Sequence, residues 1–183
     1  MGISGASGAP IALSVLKGLK AATIPVTLVV SAGGETVLRE EAGIVPQSLR
    51  TYAESTLTDN DLAAPIASGS VPTRGMVVVP CSSNTLARIA LGLGDTLLTR
   101  AAAVHLKEHR TLILVPRETP LSVVHLRHMT TLAEAGVVML VASPPYYLKP
   151  RSVDDLTNFL AGKVLDHLGV SHDLYRGWKA DAQ

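Results

Sequence analysis

The strongest constraint on the fold is the alternation of short, β-branched apolar runs with longer stretches of helical periodicity. The runs from Ile24 to Ser31, from Met76 to Ser82 and from Leu112 to Val115 contain no charged residue, as expected for strands that are buried on both faces. Helical periodicity separates them, for example from Pro10 to Ala22 and from Ser122 to Glu134. This order predicts βαβ units with right-handed crossovers, and therefore an α/β fold of three layers with a mostly parallel sheet.

Local signals predict the remaining elements. The helical stretch after the strand at Met76 breaks between Gly92 and Asp95, and the run VVMLVAS predicts a last strand. Ser152 and Asp155 form a capping box that opens the final helix, which we expect to end near Leu168.

The length of the chain favours one domain. A chain of 183 residues is long enough for one α/β domain with a large core and too short for two. We therefore expect a single domain over residues 1–183, with 171–183 as a tail that is loosely ordered or docked on a neighbouring subunit. Residues 45–70 are polar and irregular, and we expect mostly loop there, with one short helix.

The composition indicates which kinds of partner and which compartment to expect. Hydrophobic residues make up 47% and charged residues 17% of the chain, a low charge content that favours burial of surface in a homo-oligomer. The net charge of +1 argues against nucleic acid or anionic lipid as a partner. No apolar run reaches the roughly 18 residues of a membrane span. The only cysteine, Cys81, is typical of a reducing compartment, so we expect a cytoplasmic protein.

Small polar residues follow the predicted strands, where an open parallel sheet binds its ligand. Backbone N–H groups at helix N-termini attract a phosphate or the edge of a flavin. Each residue alone is also an ordinary helix cap, but several at one edge of a sheet predict a binding site. The positions are Gly5 to Gly8, Ser31, Cys81 to Thr85, Arg117 to Thr119, and Tyr146 with Tyr147.

The glycines at the start of the chain do not match the dinucleotide fingerprint. Gly2, Gly5 and Gly8 are three residues apart, whereas the fingerprint needs glycine at its first, third and sixth positions and an acidic residue at the end of the next strand. Ser31 stands where that acidic residue would be. A dinucleotide is therefore disfavoured, and a mononucleotide phosphate stays open.

Two groups of charged residues are candidates for chemistry. Arg117 and Glu118 follow a predicted strand, where a carboxylate beside a cation can hold or pass a proton, although a surface ion pair is the simpler interpretation. Arg100 and Lys107 are seven apart on a predicted helix and share a face that binds an anion or is simply solvated. The six histidines show no metal-ligand grouping, so we expect no metal.

Four segments together resemble the flavin prenyltransferase (UbiX) family: GISGASGAP, PCSSNTLARIALGLGDTLLTRAAAVHLKEHR, LILVPRETPLSVVHLRHM and PPYYLKPRSVDDL. The resemblance implies a Rossmann-like flavoprotein fold, assembled as a homododecamer. It also implies a metal-independent transfer of the dimethylallyl group from dimethylallyl phosphate to N5 and C6 of reduced FMN. The prenylated FMN would pass to a decarboxylase of the UbiD type.

The resemblance further implies roles for residues at matching positions. Glu118 would be the acid–base carboxylate, with Ser7 assisting proton transfer at N5. The residues that would bind FMN are Gly5, Ala6, Ser7, Ser31, Ser82, Ser83, Asn84, Thr85 and Arg117. The residues that would bind the prenyl phosphate, some of them supplied by a neighbouring subunit, are Arg100, Lys107, Tyr147 and Lys163, with Glu41 near that pocket.

The chain departs from the family pattern in three places. Lys163 stands where the family usually has arginine, and Leu148 where histidine is usual. Only Met1 to Ile3 precede the glycine loop, so we expect either a short first strand or a start several residues upstream.

Two alternatives to prenyl transfer remain at this stage. A related flavoprotein group decarboxylates cysteinyl substrates, and the segment PCSSNT resembles its Pro-Ala-Ser-Ala-Asn-Thr loop. That chemistry relies on a histidine before the third strand, and residues 51–74 contain none. The other alternative is a non-catalytic FMN carrier, which would have no need for Glu118, Lys107 and Arg100.

Overall fold

A central β-sheet organises the computed structural model, which describes residues 1–177. The six strands are β1 (Gly2–Ile3), β2 (Thr27–Val30), β3 (Ser55–Thr58), β4 (Met76–Cys81), β5 (Leu112–Pro116) and β6 (Val138–Met139). They pair in parallel in the order β3-β2-β1-β4-β5-β6. The strand order therefore reverses between β1 and β4, which confirms the predicted α/β class and marks the expected ligand position.

Helices cover both faces of this sheet. They are α1 (Ala9–Ala21), α2 (Ala32–Ala42), α3 (Ser83–Ala90), α4 (Leu97–Lys107), α5 (Val123–Glu134) and α6 (Val153–His167). The hydrophobic core on one face joins the sheet to α1, α2 and α6, and the core on the other face joins it to α3, α4 and α5. Within residues 1–177, short 3₁₀ helices span Pro46–Thr51, Pro65–Ala67 and Tyr146–Leu148.

The sequence of strand β4 is apolar throughout and does not alternate between polar and apolar residues. Val77 and Val79 pack in the core beneath α1, whereas Met76 and Val78 pack in the core beneath α4. Every residue of the strand is buried, because successive side chains of a strand point to opposite faces and both faces are covered.

The structure corrects three predicted boundaries. Residues 45–70 are not mostly loop with one helix, because Ser55–Thr58 forms the edge strand β3 beside β2. The run from Val137 predicted a longer strand than the two residues of β6. The proline also predicted that the strand from Met76 ends at Pro80, but β4 continues one residue further, to Cys81. The break between α3 and α4 and the capping box at Ser152 are confirmed.

The C-terminal segment lies against α1 and α6 as far as it is described. The side chain of Leu174 packs on the core beside α1. The predicted tail covers 171–183, of which residues 178–183 lie outside the described residues. No helix in residues 1–177 has the length and apolar character to span a membrane.

Candidate functional site

The loops after β1 and β4 are joined by one buried side chain at the point where the strand order reverses. Ser4 is fully buried, and its Oγ donates a hydrogen bond to the carbonyl of Pro80 at 3.0 Å. The backbone N–H of Ser82 donates to the same Oγ at 2.8 Å. Ser4 is a residue of this site that was not predicted from the sequence. The available signal was a hydroxyl directly after a short strand, inside a glycine cluster.

Helices α1, α2 and α3 begin at this same edge of the sheet. Ser31 caps α2, its Oγ accepting from the backbone N–H of Gly34 at 3.2 Å. Ser82 caps α3, accepting from the N–H of Thr85 at 3.2 Å and donating to Thr85 Oγ1 at 3.0 Å. Asn84 is exposed in the first turn of α3. The edge therefore presents three helix N-termini, each of which favours an anionic ligand.

Glycines let the loop after β1 approach the start of α2. A Cβ on Gly5 would lie 3.0 Å from the Cα of Gly33, and a Cβ on Gly34 would lie 2.4 Å from the carbonyl oxygen of Ile3. Gly8 has a φ of +133°, a conformation that L side chains rarely adopt. These missing side chains let the loop after β1 pack directly against the start of α2.

A carboxylate occupies the N-terminus of α1. Glu41 Oε2 accepts hydrogen bonds from the N–H groups of Gly8 and Ala9, each at 2.9 Å. Burial opposes its ionisation, but hydrogen bonds from Ser7, Gly8 and Ala9 and the nearby guanidinium of Arg117 lower the pKa of Glu41. Ser7, Glu41 and Arg117 therefore form one cluster at the beginning of α1.

Arg117 and Glu118 contact different partners. The Nε of Arg117 donates to the carbonyl of Ser7 at 3.4 Å. Glu118 Oε2 accepts from Ser83 Oγ at 2.9 Å, and Oε1 accepts from the N–H of Thr119 at 3.1 Å. These two bonds lower the pKa of Glu118, so at neutral pH its side chain is a carboxylate that is available to accept a proton.

The four residues predicted to bind the prenyl phosphate are not brought together within one chain. Arg100 and Lys107 lie on α4, on one face of the sheet, about 10 Å apart along the helix axis. Lys107 is the last residue of α4 and pairs with Glu108, close to the beginning of β5. On the opposite face, Lys163 lies on α6, and the ring of Tyr147 packs against Phe159 of the same helix.

Cys81 is not a nucleophile in this structure. It is fully buried, and burial raises the pKa of its thiol to about 12. In residues 1–177 no group of three or more His, Cys, Asp or Glu side chains is arranged to hold a metal ion. The Nδ1 of His125 accepts from the N–H of Ser122 at 3.2 Å, as part of the cap of α5.

Among residues 1–177, the sheet has further cavities apart from the loops after β1 and β4. One of about 500 Å³ opens at the carboxyl ends of β2 and β3 and includes Ala32, Arg50 and Asn60 in its wall. Another, of about 380 Å³, is largely apolar and lies at the opposite edge of the sheet, near Met76 and His105. The hydrogen-bonded groups described above favour the carboxyl edge as the functional one.

Comparison with known proteins agrees with this geometry. The family model described as Flavoprotein matches residues 1–165. A Thermoplasma acidophilum protein named flavin prenyltransferase UbiX is 47% identical over 178 residues, which cover 97% of this chain and 98% of that protein. The chain belongs to the flavin prenyltransferase (UbiX) family.

Solved structures of UbiX proteins share the fold. The structure of AnUbiX in complex with FMN and dimethylallyl pyrophosphate is 39% identical, with a TM-score of 0.92 over 97% of this chain and 96% of that one. A dodecameric FMN-dependent UbiX-like decarboxylase from Escherichia coli is 40% identical, with a TM-score of 0.95 over 98% and 97% of the two chains. The predicted family and its Rossmann-like flavoprotein fold are therefore confirmed.

Proposed function

We propose that this protein is a flavin prenyltransferase, which joins the dimethylallyl group of dimethylallyl phosphate to N5 and C6 of reduced FMN. The observation that carries the proposal is the match at 47% identity, over nearly the whole length of both chains, to a protein named as such an enzyme. A second UbiX protein has been solved with both FMN and dimethylallyl pyrophosphate.

The residues at the carboxyl edge of the sheet fit FMN. Helices α2 and α3 begin at this edge, and their N-termini suit a phosphate. The residues that we propose hold FMN are Gly5, Ala6, Ser7, Ser31, Ser82, Ser83, Asn84, Thr85 and Arg117. Reduced FMN, when bound, supplies the nucleophilic atoms of the reaction.

Glu118 is the proposed acid–base residue. Its ionised carboxylate is oriented by Ser83 and by the backbone N–H of Thr119, so it can receive a proton without moving. Ser7 is the proposed second proton carrier. Its hydrogen bond to Glu41 gives its hydroxyl a partner that accepts a proton, at the beginning of α1.

The leaving phosphate needs positive charge, because negative charge develops on it as the C–O bond breaks. Arg100, Lys107, Tyr147 and Lys163 are the proposed ligands, with Glu41 nearby. Arg100 and Lys107 lie on the face of the sheet opposite to Lys163. We therefore propose that a complete phosphate site combines residues from neighbouring subunits.

Apolar surface supports such an assembly. Val123, Val124 and Leu126 at the start of α5 are 62%, 56% and 48% exposed in the isolated chain, a cluster that is unusual for a monomer. The UbiX-like decarboxylase of E. coli is dodecameric. We propose the same homododecamer here, in the cytoplasm, with a UbiD-type decarboxylase as the recipient of the prenylated flavin.

A product assay separates this function from the alternatives. The protein is incubated with reduced FMN and dimethylallyl phosphate, and separately with oxidised FMN and a peptide that ends in cysteine. We expect prenylated flavin from the first mixture and no CO₂ from the second. CO₂ release from the peptide would favour a cysteine decarboxylase, and bound but unaltered flavin in both mixtures would favour a carrier.

A further inference from the structure

One carboxylate near the end of α6 gathers three side chains. Asp166 Oδ2 accepts from Lys163 Nζ at 3.3 Å and from the hydroxyl of Tyr175 at 2.6 Å. Its Oδ1 accepts from His172 Nε2 at 3.0 Å. The N–H of Leu174 donates to His172 Nδ1 at 3.2 Å, so a neutral imidazole satisfies both bonds with one tautomer. The segment from His172 to Tyr175 is thereby fixed to α6.

The ring of Tyr175 connects Lys163 to Tyr147. The Nζ of Lys163 lies 5.9 Å from the centre of the Tyr175 ring. That ring packs edge-on against Phe159, with centres 4.9 Å apart. The ring of Phe159 in turn packs edge-on against the ring of Tyr147, with centres 6.4 Å apart. Two proposed ligands of the prenyl phosphate, on different elements, are thus linked through the rings of Tyr175 and Phe159.

Gly162 makes room for this arrangement. A Cβ at that position would lie 2.5 Å from Cδ1 of the Tyr175 ring and 2.8 Å from Cε1 of His172, well inside van der Waals contact. The glycine directly before Lys163 therefore allows the C-terminal segment to lie on α6 beside the lysine.

We propose that Asp166 and Tyr175 are positioning residues that hold the Lys163 ammonium ready for the phosphate of the prenyl donor. The proposal rests on the proposed function and names the residues that enable Lys163 to bind the donor phosphate. A lysine is a point charge on a flexible stem, whereas the planar guanidinium of an arginine is preorganised for phosphate. A chain with lysine at this position needs a neighbouring group to fix the ammonium. Burial opposes protonation, but the bond to Asp166 raises the pKa of Lys163.

The test is Tyr175→Phe, which keeps the ring and removes the hydroxyl that Asp166 binds. For the FMN-loaded enzyme we expect the KM for dimethylallyl phosphate and its dissociation constant, measured by calorimetry, to rise about three- to tenfold, the net effect of one typical hydrogen bond. The affinity for FMN stays unchanged. The matched control is Tyr52→Phe, because Lys20 lies 5.3 Å from the centre of the Tyr52 ring and neither residue belongs to the site. This control leaves all of these constants unchanged.

A double variant separates positioning from a merely structural role. In Lys163→Arg the planar guanidinium is preorganised for phosphate without help from its neighbours. Adding Tyr175→Phe to Lys163→Arg therefore changes the dissociation constant of dimethylallyl phosphate less than Tyr175→Phe does alone. The proposal would be overturned if Tyr175→Phe bound dimethylallyl phosphate as tightly as the wild type or more tightly. It would also be overturned if Tyr175→Phe lowered this affinity equally in the wild type and in Lys163→Arg. If the wild-type protein binds dimethylallyl phosphate but makes no prenylated flavin, the proposed function fails, and the binding data still decide the role of Tyr175.

Discussion

Glu118 and Ser83 form the hydrogen bond on which the proposed chemistry depends most. Glu118→Gln removes the acceptor of a proton and leaves the shape of the side chain nearly unchanged. We expect FMN to bind as before and turnover to fall about 100-fold or more, the usual contribution of a positioned acid or base. Fluorescence titration with FMN and the rate of prenylated-flavin formation measure the two quantities.

Glu134→Gln is the control for Glu118→Gln. Glu134 is exposed at the end of α5, and its substitution leaves both measurements unchanged. Full activity in Glu118→Gln would remove Glu118 from the mechanism.

Ser4 makes a second prediction at the scale of one residue. Ser4→Ala leaves the partly buried N–H of Ser82 without its partner, at a cost of about 2 kcal/mol in the free energy of unfolding. We also expect weaker FMN binding, because the loops after β1 and β4 lose their link. Ser14→Ala is the matched control, since Ser14 is also buried and donates to Asn158 Oδ1 at 2.6 Å on the α1–α6 contact. Both variants lose stability in urea unfolding, but only Ser4→Ala weakens FMN binding. Equal FMN affinities in the two would contradict the role of Ser4.

Among these residues, local features could be predicted from the sequence, and long-range contacts could not. The caps at Ser31 and Ser82 are visible in sequence, because a hydroxyl before a helix has one common use. The partner of Glu118 is not visible, since Ser83 is 35 residues away in the chain and only the β4–β5 pairing brings it near. Ser4 was missed for the same reason, because its bonds reach residues 76 and 78 positions away.

At the scale of elements, the approach of α2 to β1 depends on a missing side chain. Gly34→Ala adds a Cβ that would lie 2.4 Å from the carbonyl oxygen of Ile3, and backbone atoms cannot move aside as a flexible side chain would. We expect a loss of about 1–3 kcal/mol in the free energy of unfolding, as for other overpacked sites, together with weaker FMN binding. Chemical denaturation measures the first effect and FMN titration the second.

The matched substitution is Gly177→Ala, where an added Cβ meets nothing within 4 Å among residues 1–177. This variant unfolds and binds FMN like the wild type. A Gly34→Ala protein with unchanged stability would show that α2 can shift away from β1 without loss.

The elements were predictable to different degrees, for physical reasons. The central strands are apolar because both of their faces are covered, so their sequence alone indicates them. Strand β3 has the sequence STLT and lies at the edge of the sheet, half-buried. The hydrogen bonds of its pairing with β2 stabilise this strand, and its composition does not reveal that pairing. An edge strand of four residues with three hydroxyl side chains carries almost no hydrophobic signal.

At the scale of the whole molecule, the proposed phosphate site requires more than one chain. Val124→Glu places a charge in the exposed apolar cluster at the start of α5. We expect a smaller species in size-exclusion chromatography that still binds FMN and loses prenyl transfer, because burying an unpaired charge opposes association. Val45→Glu, on a residue 45% exposed beyond α2, keeps both assembly and activity. A Val124→Glu protein that is fully assembled and active would exclude this face from the interface.

The most direct test of the central claim is the mass of the flavin after one round of reaction. The protein is mixed with a stoichiometric amount of reduced FMN and an excess of dimethylallyl phosphate without oxygen, and the flavin is extracted for mass spectrometry. We expect the flavin to gain the mass of one dimethylallyl unit, with one phosphate released for each flavin altered and no such product from Glu118→Gln. An unchanged flavin mass, with an active family member working under the same conditions, would contradict it.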